Sequence, residues 1–255
     1  MFVFFLLLPW MFCCGEEIDL RQYERSVHSQ NGEDGILTKL FSMIEPQSHY
    51  CVEFGASDGV TGSNTYLLRQ QGWEALLLDL RFDIPAMNLH QEFITMENIN
   101  ELFDRYNVPN NLDFLSIDID YNDFYIWMAL DRKYQPAVLV IEYNAGHSPD
   151  QDKVVKYRSH IVGDFTNYYG ASILAMYNLG KKKGYSLVYA DSTGTNLFFI
   201  RSDIIKTLAE EKKLTFKNVD NVTEIYRPPI FGKGEDGNHP QDPKNRPYLT
   251  SSELL

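Results

Sequence analysis

The chain has 255 residues, a formal net charge of −12 and three cysteines. Its length suits one α/β domain with appendages, because single domains of this kind commonly run to roughly 200–250 residues. The acidic balance provides no long-range attraction to a phosphate backbone, so we expect no nucleic-acid partner. Cys13 and Cys14 lie in an apolar leader, and Cys51 alone remains. The sequence therefore offers no disulfide framework.

Residues 1–15 form this apolar leader. Its length suits the apolar core of a signal peptide and is too short for a membrane-spanning helix, which needs about 20 residues. It lacks basic residues at its start, and its end is a poor cleavage site. We favour a secretory or membrane-associated protein, with membrane contact only through the leader. A cytoplasmic protein with a mis-assigned start or a buried N-terminal segment is the alternative.

The rest of the chain alternates between helical and strand patterns. Apolar residues at helical spacing predict helices over residues 36–44, 64–71, 99–106 and 170–183. Short apolar runs predict strands at 50–54, 74–80, 93–95, 112–117 and 137–141, and then a pair of strands at 185–189 and 196–200. Near-continuous apolar strands separated by helices indicate a mostly parallel sheet covered on both faces. The sheet has a mixed edge where the final pair of strands closes it.

The predicted domain covers residues 20–203, and residues 204–255 form a C-terminal extension. From residue 226 onward the extension is rich in Pro, Gly, Asn and Asp and has no periodicity. We expect it to be irregular, and either wrapped on the domain or disordered.

Polar residues follow the predicted strands at their carboxyl ends. In an open α/β sheet these ends meet in one crevice, which is where ligands bind. The crevice is expected to gather Glu53, Gly55, Asp58, Asp79, Asp118, Asp120, Glu142 and Asn144. So many acids repel one another, which favours a cation or ligand hydroxyls beside them.

Two of these features predict a nucleoside ligand. Gly55 and Gly59 form a tight turn that leads to a helix opened by Asn64, so backbone N–H groups can approach a ligand. Asp79 ends the next strand, about 20 residues downstream, where an acid can meet a ribose hydroxyl pair. A purely structural strand-to-helix turn is the alternative interpretation of the glycines.

The sequence resembles the class I S-adenosylmethionine-dependent methyltransferases, and among them the FkbM-type family. The similarity covers roughly residues 29–201. It rests on the motifs Val52-Glu53-Phe54-Gly55-Ala56-Ser57-Asp58-Gly59, Ser63-Asn64-Thr65-Tyr66, Gly72-Trp73, Leu76-Leu77-Leu78-Asp79, Leu115-Ser116-Ile117-Asp118-Ile119-Asp120 and Ile141-Glu142-Tyr143-Asn144.

The resemblance implies a Rossmann-like fold: a mostly parallel seven-stranded sheet with an antiparallel last strand and helices on both faces. It also implies S-adenosyl-L-methionine as cofactor, with the methionyl part at the glycine turn and the ribose at Asp79. We assign cofactor contacts to Glu53, Gly55, Asp58, Gly59, Asn64 and Asp79. Many family members carry a third glycine where this chain has Ser57.

Catalysis and metal binding are predicted at the later strand ends. Methyl transfer to oxygen requires a group that removes the proton of the acceptor hydroxyl, and Asp118, Asp120 and His147 are the candidates. The acids after two neighbouring strands resemble the magnesium site of catechol-type O-methyltransferases. The predicted Mg²⁺ ligands are Asp118, Asp120, Glu142 and Asn144. A hydrogen-bonded turn with a helix cap at Asp123 is the alternative interpretation.

The sequence therefore predicts an O-methyltransferase acting on a hydroxyl of a sugar or small natural product, with a small molecule or glycan as partner. One alternative is a non-catalytic binding or trafficking protein that keeps the fold. Another is a metal-dependent nucleotide-sugar glycosyltransferase that uses Asp118 and Asp120 as its metal-binding pair. The glycine turn disfavours the glycosyltransferase, because such enzymes bind the nucleotide diphosphate through different elements.

Overall fold

A computed structural model describes residues 15–161 and 163–255. Its strands in chain order are β1 (Glu16–Ile18), β2 (Tyr50–Phe54), β3 (Glu74–Asp79), β4 (Leu89–Gln91), β5 (Phe114–Ile117), β6 (Val138–Glu142), β7 (Tyr185–Ala190), β8 (Asn196–Arg201) and β9 (Leu214–Phe216). Seven of them form the central sheet in the order β4-β3-β2-β5-β6-β8-β7, and β1 pairs with β9 beside it. Strand β8 runs antiparallel to both of its neighbours, and the other pairings in the sheet are parallel.

Helices cover both faces of this sheet. They are α1 (Glu33–Met43), α2 (Tyr66–Gln70), α3 (Ile99–Arg105), α4 (Asp123–Ala129), α5 (Ile173–Lys183), α6 (Ser202–Glu211), α7 (Val222–Ile225) and α8 (Ser251–Leu254). Apolar residues of α3, α4 and α5 pack with Leu76 and Leu78 of β3, whereas those of α1, α2 and α6 pack with Leu77. Successive strand residues point to opposite faces, so both faces of the sheet are buried.

The expected sheet is confirmed. It has seven strands, is mostly parallel, and its last strand in sequence, β8, is antiparallel. This architecture is consistent with the class I methyltransferase fold. Helix α5 ends at Gly184, which adopts φ +85° as its C-cap. The strand pair that closes the sheet also lies where the sequence predicted it.

The prediction of a strand at residues 93–95 is wrong. The edge strand is β4, which ends at Gln91. The side chain of Asn98 makes two hydrogen bonds to the segment that follows β4. It donates to the Phe93 carbonyl and accepts from the Thr95 N–H. These bonds turn the chain into α3, so its backbone groups are not free to pair with the sheet.

The C-terminal extension is wrapped on the domain. The predicted boundary after residue 203 falls inside α6, whose Leu208 is buried in the core, and β9 continues the fold by pairing with β1. Further along, Asn238 is fully buried, and the Leu249 N–H donates to the Val154 carbonyl at 2.8 Å. Between α7 and α8 the extension has no helix or strand, yet side-chain and backbone hydrogen bonds fix its course.

The apolar leader lies outside the described residues, apart from Gly15. Among the residues that are described, none of the helices has both the length and the apolar character needed to span a bilayer. The secretory or membrane-associated location stays a prediction from the sequence.

Candidate active site

A crevice opens at the centre of the sheet, between the carboxyl ends of β2 and β5. These strands are neighbours, and the chain leaves them toward opposite edges of the sheet. Gly55 follows β2 with φ +70°, and a Cβ atom there would lie 1.9 Å from the backbone oxygen of Asp118. Glycine is therefore required for the two strand ends to come this close.

The carboxylate of Asp79 joins the loop after β2 to the loop after β3. One oxygen accepts the Ser57 N–H at 2.9 Å, and the other accepts the N–H groups of Arg81 at 2.7 Å and Phe82 at 3.2 Å. A carboxylate has about four acceptor positions, so one remains for a ligand. Ser57 itself adopts φ +49°, the left-handed conformation that favours glycine.

A cavity of about 300 Å³ lies between these loops. This volume is at the lower end of the roughly 300–1,000 Å³ range of small-molecule sites. Gly55, Asp79, Asp118 and Asp120 are the predicted site residues that line it. Its apolar walls are formed by Leu78, Leu80, Phe93, Ile94, Ile119, Ile161 and Phe165. The cavity therefore combines apolar walls with a few carboxylates, as a nucleoside site would require.

Phe165 is an unusual part of this wall. Its side chain is 79% exposed, and its backbone adopts φ +59°. A bulky residue seldom adopts this conformation, and a large apolar ring in water gains nothing from solvent. Phe165 is thus available to cover a ligand in the cavity.

Glu53 does not line the cavity and instead holds the loop from beneath. One carboxylate oxygen accepts the hydroxyls of Ser63 at 2.6 Å and Thr65 at 2.5 Å, and the other accepts the Asn64 N–H at 2.7 Å. Burial raises the pKa of Glu53, while these hydrogen bonds oppose the shift. The side chain of Glu53 thus contacts the segment just before α2, and a direct contact between Glu53 and the cofactor stays a prediction from the sequence.

Three more predicted cofactor contacts also lie outside the cavity wall. Asp58 caps its own turn by accepting the N–H groups of Val60 and Thr61. A Cβ atom at Gly59 would meet apolar side chains of the core and not the cavity. Asn64 donates to the Ser116 hydroxyl at 3.0 Å, which ties the loop to β5. Local bonding thus commits Asp58, Gly59 and Asn64 to shaping the loop.

A cluster of carboxylates lies beside the cavity. Asp118 follows β5, Asp123 begins α4 and Glu142 ends β6, and one oxygen from each lies within 4.8 Å of the others. Burial raises the pKa of all three groups, for Asp123 to about 7, and the neighbouring carboxylates add to the rise. Asp123, which the sequence suggested only as a helix cap, therefore belongs to the cluster.

Asp120 and Asn144 are not members of this cluster. The Asp120 side chain is exposed and lines both the main cavity and a second cavity of about 20 Å³. The Asn144 side-chain amide is fully buried, and all of its hydrogen-bonding positions are occupied. Its Nδ2 donates to the carbonyls of Asn167 and Tyr169, and its Oδ1 accepts from the Gly146 N–H and the Asn238 side chain. Asn144 as a metal ligand stays a prediction from the sequence, and in this structure its oxygen anchors the C-terminal extension through Asn238.

His147 lies away from these cavities. It lines a separate cavity with Lys153 and Tyr248, and its ring meets the Tyr248 ring edge to face at 4.7 Å. Its Nε2 is buried and has no hydrogen-bond partner within residues 15–161 and 163–255. Burial lowers the pKa of His147 to about 4. The structure therefore does not bring His147 together with Asp118 and Asp120, and its role as catalytic base stays a prediction from the sequence.

Sequence reasoning missed His239. This histidine of the C-terminal extension lines the small cavity together with Asp120, Glu142 and Tyr169, and its ring meets the Tyr169 ring at 5.5 Å. Asn238 positions it, because the Asn238 side chain accepts the His239 N–H at 2.7 Å. No motif in the sequence indicates this role, because His239 lies in the part of the extension that has no periodicity.

No protein-family model matches the sequence, and no curated protein does. Among solved structures, the chain is similar to an O-methyltransferase family protein from Burkholderia thailandensis. The sequence identity is 12% and the TM-score 0.36, over 67% of this chain and 60% of that chain. It is also similar to the CMeT domain of the citrinin polyketide synthase, at 9% identity and a TM-score of 0.34, over 66% of this chain and 51% of that chain.

The chain thus spans between half and three fifths of the length of these two structures. At such low scores the similarity supports no statement about the site, which is described by its own contacts.

Proposed function

We propose that the protein is an S-adenosylmethionine-dependent O-methyltransferase of the FkbM type. One observation carries the proposal: the loop after β2 and the carboxylate after β3 meet at one cavity. Ser57 N–H and Asp79 are hydrogen-bonded at 2.9 Å, and Gly55 and Asp79 line the same wall. The two groups that the resemblance assigns to the methionyl part and the ribose are therefore adjacent.

The cavity supplies matching contacts for an adenosine. The free acceptor position of Asp79 can bind a ribose hydroxyl, and the walls at Phe93 and Ile94 can pack against the purine. The bound cofactor would supply a methyl group on a sulfonium. The protein must then hold an acceptor oxygen in line with that methyl group and exclude water.

The acceptor hydroxyl would lie toward the small cavity. Asp120 lines both cavities, while His239 and Tyr169 line the small one. These polar side chains can bind a hydroxyl and receive its proton, which is the arrangement that O-methylation needs. We propose a sugar or small natural product as substrate, on the family resemblance.

Calorimetric titration with S-adenosylhomocysteine tests the proposal. We expect micromolar binding to the full chain and a loss of about 10- to 100-fold in Asp79→Asn, because hydrogen bonds to charged groups contribute about 1.5–3 kcal/mol. Asp83→Asn is the matched control, since this exposed acid lies on the same connection and the charge change is identical. Its affinity should equal that of the wild type.

The other functions predict different outcomes. A folded wild-type protein that fails to bind S-adenosylhomocysteine would favour a non-catalytic binding or trafficking protein. Binding of a nucleotide sugar that depends on Mn²⁺ would favour a glycosyltransferase.

A further inference from the structure

In the described part of the chain, Arg81 lines the main cavity and His239 the small one, yet neither side chain forms an ion pair with Asp118, Asp123 or Glu142. Within residues 15–161 and 163–255, no lysine or arginine forms an ion pair with them. Over the same described residues, the three side chains accept a single hydrogen bond in total, from the Ile119 N–H to Asp123 Oδ1 at 2.8 Å. Three acids this close are unfavourable when ionised, because burial removes the water that would screen them.

A second observation concerns two of the oxygens in this cluster. Asp123 is 0% exposed, and its Oδ2 is buried with no hydrogen-bond partner among the residues that the structure describes. The same holds for the buried Oε2 atom of Glu142. Buried polar atoms are almost always satisfied in folded proteins, so two unsatisfied oxygens in one acidic cluster indicate a missing partner.

We propose that Asp118, Asp123 and Glu142 together bind one Mg²⁺ ion. Carboxylate oxygens are the ligands that hard divalent cations prefer. Mg²⁺ keeps several of its waters when it binds to proteins, so three protein carboxylates are sufficient. The ion would neutralise two of the three charges and give the buried oxygens a partner.

This ligand set differs from the one that the resemblance implied. Asn144 has no free acceptor, because its oxygen already binds Gly146 N–H and Asn238. Asp120 is exposed and outside the cluster. Asp123 replaces them because α4 begins just after β5 and brings its first carboxylate back toward the strand end.

The proposal rests on charge and hydrogen bonding and does not depend on methyl transfer. The place of the ion matters nevertheless, since Asp118 lines the main cavity and Glu142 lines the small one. A cation held there would lie beside both cavities and could bind an oxygen of whatever ligand occupies them.

Metal binding to the full, metal-stripped chain provides the test. Mn²⁺ is titrated and the free ion is measured by electron paramagnetic resonance, and Mg²⁺ is then added as competitor. We expect one Mn²⁺ per chain, displaced by Mg²⁺. Asp123→Asn should weaken binding at least tenfold while keeping the bond to Ile119 N–H. Asp120→Asn removes a neighbouring charge but no proposed ligand, and should weaken binding less than Asp123→Asn does. Asp83→Asn, the same charge change at an exposed acid outside both cavities, should bind within twofold of the wild type.

Two results would overturn this assignment. One is a wild-type chain that binds neither ion at millimolar concentration, in which case the acids share protons. The other is equal weakening by Asp120→Asn and Asp123→Asn, which would restore Asp120 as a ligand. If Asp123→Asn does not fold, Glu142→Gln serves in its place with the same expected loss.

Discussion

Replacing Gly55 with alanine should damage both folding and ligand binding. An L-residue at φ +70° carries about 1–2 kcal/mol of backbone strain. The new Cβ would also lie 1.9 Å from the Asp118 backbone oxygen, so the loop must move away from β5. Overpacking of this kind costs about 1–3 kcal/mol. The free energy of unfolding should therefore fall by about 2–5 kcal/mol, the sum of the two effects.

Gly72→Ala is the matched control for this substitution. Gly72 adopts φ +92°, and a Cβ atom there meets no described atom within 4 Å. It should suffer the backbone strain of about 1–2 kcal/mol without the clash. Urea denaturation measures both variants, and titration with S-adenosylhomocysteine follows on each folded protein. The reasoning is refuted if Gly55→Ala is as stable as Gly72→Ala and binds the ligand equally well.

Three further changes test other parts of the structure. Phe165→Ala should weaken S-adenosylhomocysteine binding about 3- to 10-fold by calorimetry and leave stability unchanged, because this ring is 79% exposed without a ligand. The pKa of His147 is lowered to about 4, so the unfolded chain takes up its proton first on acidification. The His147 contribution to stability should fall by about 3 kcal/mol between pH 6.5 and pH 4, so the stability difference between wild type and His147→Gln should change by that amount in denaturation curves recorded at the two pH values. The raised pKa values of Asp118, Asp123 and Glu142 act in the opposite direction and are common to both proteins. Asn238→Ala should lower stability by about 1–3 kcal/mol and expose the extension to protease, since Asn144 and the His239 N–H lose their partner; cleavage at the wild-type rate would contradict this.

The meeting of Gly55 and Asp79 could be predicted because parallel strands bring their carboxyl ends to one edge of the sheet. The direction of Glu53 could not. It depends on hydroxyls at Ser63 and Thr65 that fold back beneath the loop, and their spacing in sequence does not reveal this contact.

The acceptor side of the site was harder still to predict. His239 reaches the small cavity from a segment without periodicity, and its place depends on the bond between Asn144 and Asn238, which are 94 residues apart. The sequence identifies Asp123 as a residue at the start of a helix. A residue in that position can also belong to the acidic cluster, so the sequence pattern alone does not show whether it does.

The central claim is that the cavity beside Gly55 and Asp79 binds an adenosine. A crystal structure of the full chain with S-adenosylhomocysteine tests it most directly. The predicted result is a ribose hydroxyl on the Asp79 carboxylate and the purine against Phe93 and Ile94. A nucleoside bound elsewhere on the chain, with this cavity filled only by solvent, would contradict the account.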